Sequence, residues 1–183
     1  MQSINIRKSN VELGKLYFWT ATINNWYQLL REDALKEIII SSLKHLCVER
    51  KIEMYAFVLM PNHLHFIWQL LKVNGKEKPH TSFLKFTAHS FKKHLQITSP
   101  EALKLYAVDA TNKEYEFWQR DSLAVPLYSR SVAFQKLKYI HTNPLAEHWQ
   151  LVKYPCDYRY SSARYYELNE KNFSFLKDLW EVF

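Results

Sequence analysis

The feature that most constrains this chain is the way its apolar residues change period along the sequence. Leu16 to Ile23 (LYFWTATI) is dense in aromatic and β-branched residues and reads as a strand. From Asp33 to about Arg50 the apolar positions are Leu35, Ile38, Ile39, Leu43, Leu46 and Cys47. That is helical spacing; it takes Ser42 onto the same face and leaves Lys36, Glu37, Lys44 and His45 outside. Glu53 to Met60 reads as a second strand, Pro61-Asn62 as a turn and His63 to Leu71 as a third strand. After the polar stretch Val73 to Pro79, a helix is predicted over Thr81 to Gln96, with Leu84, Ala88, Phe91 and Leu95 inward. Ser99 to Lys113 has no clear period and fits a short helix and a loop. Tyr115 to Tyr128 contains strand-like material broken at Pro126. A last helix runs from about Ser131 to Thr142, where Pro144 disfavours helical geometry at Asn143. The order β-α-β-β-α-β-α predicts an α+β protein with a ferredoxin-like split βαβ fold. Its sheet is antiparallel, its helices lie on one face and its final helix follows the last strand.

At 183 residues the expectation is a single domain, 1–183, with a core over about 15–145 and an aromatic, basic extension over 146–183. Apolar residues make up 48% of the chain and aromatics 16%, a composition that excludes intrinsic disorder. No apolar run approaches the roughly 20 residues of a membrane helix. Met1 to Asn10 has no secretory apolar region, so a cytoplasmic, membrane-free protein is expected. With Gly14 and Gly75 the only glycines, phosphate-cradling P-loops and dinucleotide folds are excluded. Cys47 and Cys156 match no metal spacing and read as reduced thiols. A formal charge of +7 favours a polyanionic partner, and Lys85, His89, Lys92 and Lys93 share the outer side of one predicted helix.

Two short segments carry residue types suited to chemistry. In Met60-Pro61-Asn62-His63-Leu64-His65-Phe66, strand alternation turns His63 and His65 to one face and Leu64 and Phe66 to the other. Two such imidazoles can hold one divalent metal ion if oxygen donors and water complete the shell; an isolated pair is more often two partly buried histidines bonded to neighbours. In Tyr139-Ile140-His141-Thr142-Asn143-Pro144, Tyr139 and Asn143 lie four apart and share a helix face. His141 faces roughly the other way, as expected of a packing or surface residue. His80, His89, His94 and His148 likewise read as structural or solvent-exposed. A tyrosine beside a metal ion suits nucleophilic attack on a phosphate that leaves a covalent phosphotyrosine.

Val58-Leu59-Met60-Pro61-Asn62-His63-Leu64-His65 resembles the MPNHxH signature of single-tyrosine HUH transposases, which include the small insertion-sequence transposases and the REP-associated tyrosine transposases. Lys138-Tyr139-Ile140-His141-Thr142-Asn143-Pro144 resembles their YIxxNP helix, and Phe117-Trp118-Gln119-Arg120 a recurrent segment ahead of it. Tyr158-Arg159-Tyr160-Ser161-Ser162-Ala163 resembles the tail motif of the REP-associated branch. The resemblance extends from about Leu16 to Tyr166. Ser122 to Tyr128 lacks the histidine that the REP-associated branch often carries there, and the length over 97–113 has no counterpart.

The resemblance implies the ferredoxin-like fold, His63 and His65 as metal ligands, Asn143 as a third, oxygen-donating ligand and Tyr139 as the nucleophile of a 5′-phosphotyrosine link. It also implies Mg²⁺ or Mn²⁺ as cofactor, single-stranded DNA with a hairpin as partner, and a nucleoid setting in a prokaryote. Relatives are monomers or homodimers, some with the tyrosine helix over the partner's metal site. Lys85, Lys92, Lys93, Arg120 and Arg159 are the candidate nucleic-acid contacts, and the tail aromatics either stack on bases or clamp onto the sheet. Two other readings stand beside a strand transferase: a hairpin DNA- or RNA-binding protein that does not cut, and a metal-dependent phosphoesterase that activates water.

Overall fold

The computed structural model describes residues 11–183, so the polar Met1–Asn10 segment lies outside the described residues. Strand β1 (Leu16–Thr22) leads to helix α1 (Asp33–Val48), and strands β2 (Ile52–Leu59) and β3 (His63–Leu70) form a hairpin. Helices α2 (Pro79–Thr98) and α3 (Pro100–Lys104) precede a small ribbon of β4 (Ala107–Ala110) and β5 (Lys113–Tyr115). Strand β6 (Leu123–Pro126) returns to the main sheet, α4 (Arg130–Thr142) follows, and α5 (Ala163–Leu168) lies in the tail. The main sheet has the order β2-β3-β1-β6 with every pairing antiparallel, the split βαβ arrangement that the period changes predict. Pro126, which has no N–H to give a ladder, sits at the end of the edge strand β6. No helix among the described residues is long and apolar enough to cross a membrane.

Strand alternation builds two cores. Trp19, Phe66 and Trp68 face α1 and α2, with the Trp19 and Trp68 rings 4.8 Å apart and Phe83 of α2 5.7 Å from Phe66. Burial of each such side chain contributes about 1.5–3 kcal/mol. On the other face Phe18, Val58 and Ile67 pack against Ala133, Leu137 and Ile140 of α4. The helices are therefore not all on one face: α1 and α2 cover one side, and α4 covers the other. The cause is that both alternating sets of sheet residues are apolar, so each needs a cover. A bulge between Met54 and Ala56 lets Tyr55 and Ala56 both join the α4 side.

Two helix faces differ from the simple periodic reading. The buried stripe of α2 is Phe83, Thr87, Phe91 and Leu95, with Leu84 and Ala88 only partly buried beside it. Thr87 is tolerated inside because its hydroxyl donates to the Phe83 carbonyl at 2.9 Å and accepts from Trp118 Nε1 at 3.0 Å. Lys36, expected outside, is buried: its ammonium pairs with Asp33 at 2.8 Å and lies 4.5 Å from the Tyr160 ring centroid.

The chain beyond α4 clamps onto the free edge of β2. Leu59 N–H donates to the Tyr160 carbonyl and Ser162 N–H to the Phe57 carbonyl, both at 2.9 Å. The Tyr158 hydroxyl donates to the Leu59 carbonyl at 2.7 Å, and the Tyr166 hydroxyl to the Tyr55 carbonyl at 2.8 Å. An edge that would otherwise present bare ladder groups is covered.

Candidate functional site

His63 and His65 lie on β3 with their rings turned toward α4, 4.8 Å apart between centroids. Each ring has a partner on Nδ1. Asn62 Oδ1 can only accept, and it lies 2.7 Å from His63 Nδ1; the proton therefore sits on Nδ1 and Nε2 keeps its lone pair. Thr20 stands directly across from His65 in the β1–β3 register and places Oγ1 2.7 Å from His65 Nδ1. With that nitrogen protonated, His65 Nε2 is likewise bare. Burial pushes His65 down to about 3, helped by the neighbouring His63 and Lys136, and pushes His63 down to about 4. A side-chain interaction with Asn143 works the other way on His63, although Asn143 Oδ1 meets no donor at hydrogen-bonding distance and angle among the described residues. Both imidazoles are neutral at neutral pH, the form in which histidine binds metal.

Helix α4 brings the phenol to this pair. Ser129 caps its start by accepting from Val132 N–H at 3.4 Å, and Ala133, Leu137 and Ile140 fix its rotation against the sheet. The Tyr139 ring, 47% exposed, then lies 5.2 Å from the His65 ring and 6.0 Å from Phe18, while Phe18 stacks on His65 at 5.1 Å. The Lys136 ammonium sits 4.8 Å from the Phe18 centroid and 5.8 Å from that of Tyr139. The helix ends at Thr142 as predicted, yet Asn143 keeps helical angles (φ −55°, ψ −42°) in spite of Pro144. Its side chain thus stays in line, one turn beyond Tyr139.

Asn143 is buried, and among the described residues neither its Oδ1 nor His65 Nε2 has a hydrogen-bond partner. An orphaned buried acceptor costs about 1–3 kcal/mol. Two of them beside the lone pair of His63 suit a cation with nitrogen and oxygen donors. Among the described residues no three His, Cys, Asp or Glu side chains cluster as a metal site, so the third donor in this set is an amide oxygen.

His63, His65, Tyr139 and Asn143 line one cavity of about 610 Å³, whose wall contains no carboxylate. Trp26, His148 and Trp149 line it too; no sequence signal marked either tryptophan for this place. His148 is exposed, as expected, but on this wall. Trp26 and its neighbour Asn25 both have left-handed backbone angles, φ 57° and 54°, at a cost of about 1–3 kcal/mol each. The loop is held there by Trp26 N–H donating to the Ile23 carbonyl at 3.0 Å and by Asn62 Nδ2 donating to the Trp26 carbonyl at 3.3 Å.

The five candidate basic contacts do not line this cavity. Lys85, Lys92 and Lys93 are on α2, across the sheet from α4. Lys85 pairs with Glu77, Lys92 with Glu114 at 2.6 Å, Arg120 with Glu116 at 3.2 Å and Arg159 with Glu37 at 3.1 Å. His141 is buried on the inner side of α4, its Nε2 2.9 Å from Ser162 Oγ.

No protein-family model matches the sequence, and no curated protein sequence matches it significantly. Among solved structures, a REP-associated tyrosine transposase bound to a REP hairpin is similar over 85% of this chain and 80% of that one, with a TM-score of 0.59 at 20% identity. The chain shares the fold of that transposase. A candidate transposase of Deinococcus radiodurans R1, 18% identical with a TM-score of 0.40, covers 73% of this chain and 95% of its own, a likeness too low to argue from. In the transposase fold of this chain, the strand that carries the histidines and the helix that carries the tyrosine meet across the α4 face of the sheet.

Proposed function

We propose that the protein is a transposase-type nuclease that cuts and rejoins single-stranded DNA, with Tyr139 as nucleophile and a divalent ion, Mg²⁺ or Mn²⁺, held by His63, His65 and Asn143. The observation that carries this reading is the convergence, in one carboxylate-free cavity, of the phenol, the bare imidazole nitrogens and the orphaned Asn143 oxygen. The REP hairpin bound by the transposase of similar fold supports hairpin DNA as the partner.

A bound divalent ion would polarise the phosphoryl group and stabilise the charge that develops on it. Tyr139 Oη forms a bond to phosphorus, and its proton passes to water in the open cavity. The bond from phosphorus to the 3′ oxygen breaks, and that oxygen takes a proton from water and leaves as a hydroxyl. The 5′ phosphate stays on Tyr139, so a 3′ hydroxyl on another strand can reverse the attack and join it. The Lys136 ammonium lies 5.8 Å from the Tyr139 ring centroid, so its positive charge would attract an arriving phosphate. Asn62 and Thr20 keep the two imidazole rings oriented.

The test is a covalent-capture assay on labelled single-stranded hairpins with randomised flanks, in Mg²⁺ or Mn²⁺, run on a denaturing gel. A metal-dependent adduct is expected with the native protein and none with Tyr139→Phe. Cleavage without adduct, equal in both proteins, would assign the chemistry to an activated water instead.

A further inference from the structure

The wall of the cavity carries two indoles that the proposed strand-transfer chemistry does not use. Trp26 is 59% exposed, an unusual place for so large an apolar side chain. Its backbone is held in the left-handed region, where a bulky residue is a true outlier, by hydrogen bonds to its N–H and its carbonyl. Trp149 comes from the other end of the fold, just after α4, and its ring lies 6.1 Å from that of His63 and 5.5 Å from that of His148. Both indoles line the same cavity as the histidine pair and Tyr139. Asn62 ties the two features together: its carbonyl oxygen orients His63 while its amide nitrogen holds the Trp26 carbonyl.

We infer that Trp26 and Trp149 form a stacking site for an unpaired nucleobase adjoining the phosphate at the histidine pair. This rests on the DNA reading above and deepens it. An exposed indole offers a flat π face, and a base can cover it only when the base is not stacked in a duplex. The absence of carboxylates from the cavity wall admits the polyanionic backbone that must accompany the base. Because one amide holds both the ring of His63 and the carbonyl of Trp26, a stacked base would keep the neighbouring phosphate in register with Tyr139. The site would not read sequence through hydrogen bonds; it would select single-stranded over paired DNA.

The test is equilibrium binding by fluorescence anisotropy of an oligothymidylate of about twenty nucleotides and of an abasic chain of equal length. EDTA is present, so no cleavage enters the reading. The native protein is expected to bind the oligothymidylate on the order of tenfold or more tighter than the abasic chain. Trp26→Ala and Trp149→Ala should each reduce that ratio substantially while leaving abasic binding unchanged, and Trp26→Phe should keep most of it. Trp26 is exposed, so its substitution leaves the core intact, which a thermal melt of each variant verifies. The inference is overturned if Trp26→Ala retains the native ratio, or if the native protein binds both chains equally. Base-dependent binding lost in the variants would uphold it even if no covalent adduct ever formed, so the two readings fail separately.

Discussion

Ser162 carries a buried hydroxyl through which the tail, the edge strand and the tyrosine helix are joined. Its Oγ accepts from Phe57 N–H at 3.1 Å, lies 2.9 Å from His141 Nε2 and is 3.3 Å from the Phe57 carbonyl. Ser162→Ala removes no apolar packing but leaves the Phe57 N–H and the His141 nitrogen without partners. Ser162 is 0% exposed and His141 6%, so water does not readily replace the hydroxyl. At about 1–3 kcal/mol for each stranded group, the loss is about 2–6 kcal/mol. That is a large part of a typical folding free energy of about 5–15 kcal/mol. For a chain of this length the melting temperature falls by roughly 2–4 °C per kcal/mol, so a drop of about 4–24 °C is expected. Urea unfolding followed by circular dichroism measures the free-energy loss, and a thermal scan the shift in melting temperature. Ser161→Ala is the control: among the described residues Ser161 Oγ accepts from Ala163 N–H alone, at 3.1 Å, so one stranded group costs about 1–3 kcal/mol, half the loss at Ser162. A Ser162→Ala protein within about 0.5 kcal/mol of the native one would refute the reasoning, because it would mean the two groups find other partners.

If the histidines and Asn143 hold a metal ion, Mn²⁺ at about a hundredfold above its Kd should add about 2.7 kcal/mol of stability. The corresponding rise in melting temperature should vanish in His63→Ala/His65→Ala, and a rise of equal size in that variant would place the ion elsewhere. Neutralising Lys85, Lys92 and Lys93 together should leave the salt dependence of DNA binding nearly unchanged, since these residues sit across the sheet from the cavity and two are already paired. A slope reduced by several units would instead bring DNA over α2.

Much of the site was legible because it depends on parity. His63 and His65 share a face in any strand, and Tyr139 and Asn143 share one in any helix, so the two pairs needed only the fold to meet. The element order was readable for the same reason. What escaped were relations between distant segments. Thr20 looks like any strand residue until the register puts it opposite His65. The α2 stripe was displaced toward Leu84 because Thr87 is polar, and only the partner indole of Trp118 explains its burial. Helix α4 covers a second face because alternate strand residues are apolar on both sides, which the alternation of Leu16 to Ile23 already contained. Trp26 and Trp149 give no periodic signal at all: their place on the cavity wall comes from loops, where backbone angles rather than spacing decide direction.

The most direct test of the account is to locate the covalent bond itself. The captured protein–DNA adduct would be digested with nuclease and protease and its peptides sequenced by mass spectrometry. The account predicts a nucleotide 5′ phosphate on the peptide containing Tyr139, and on no other. A phosphate on a different residue, or an adduct that persists in Tyr139→Phe, would contradict it.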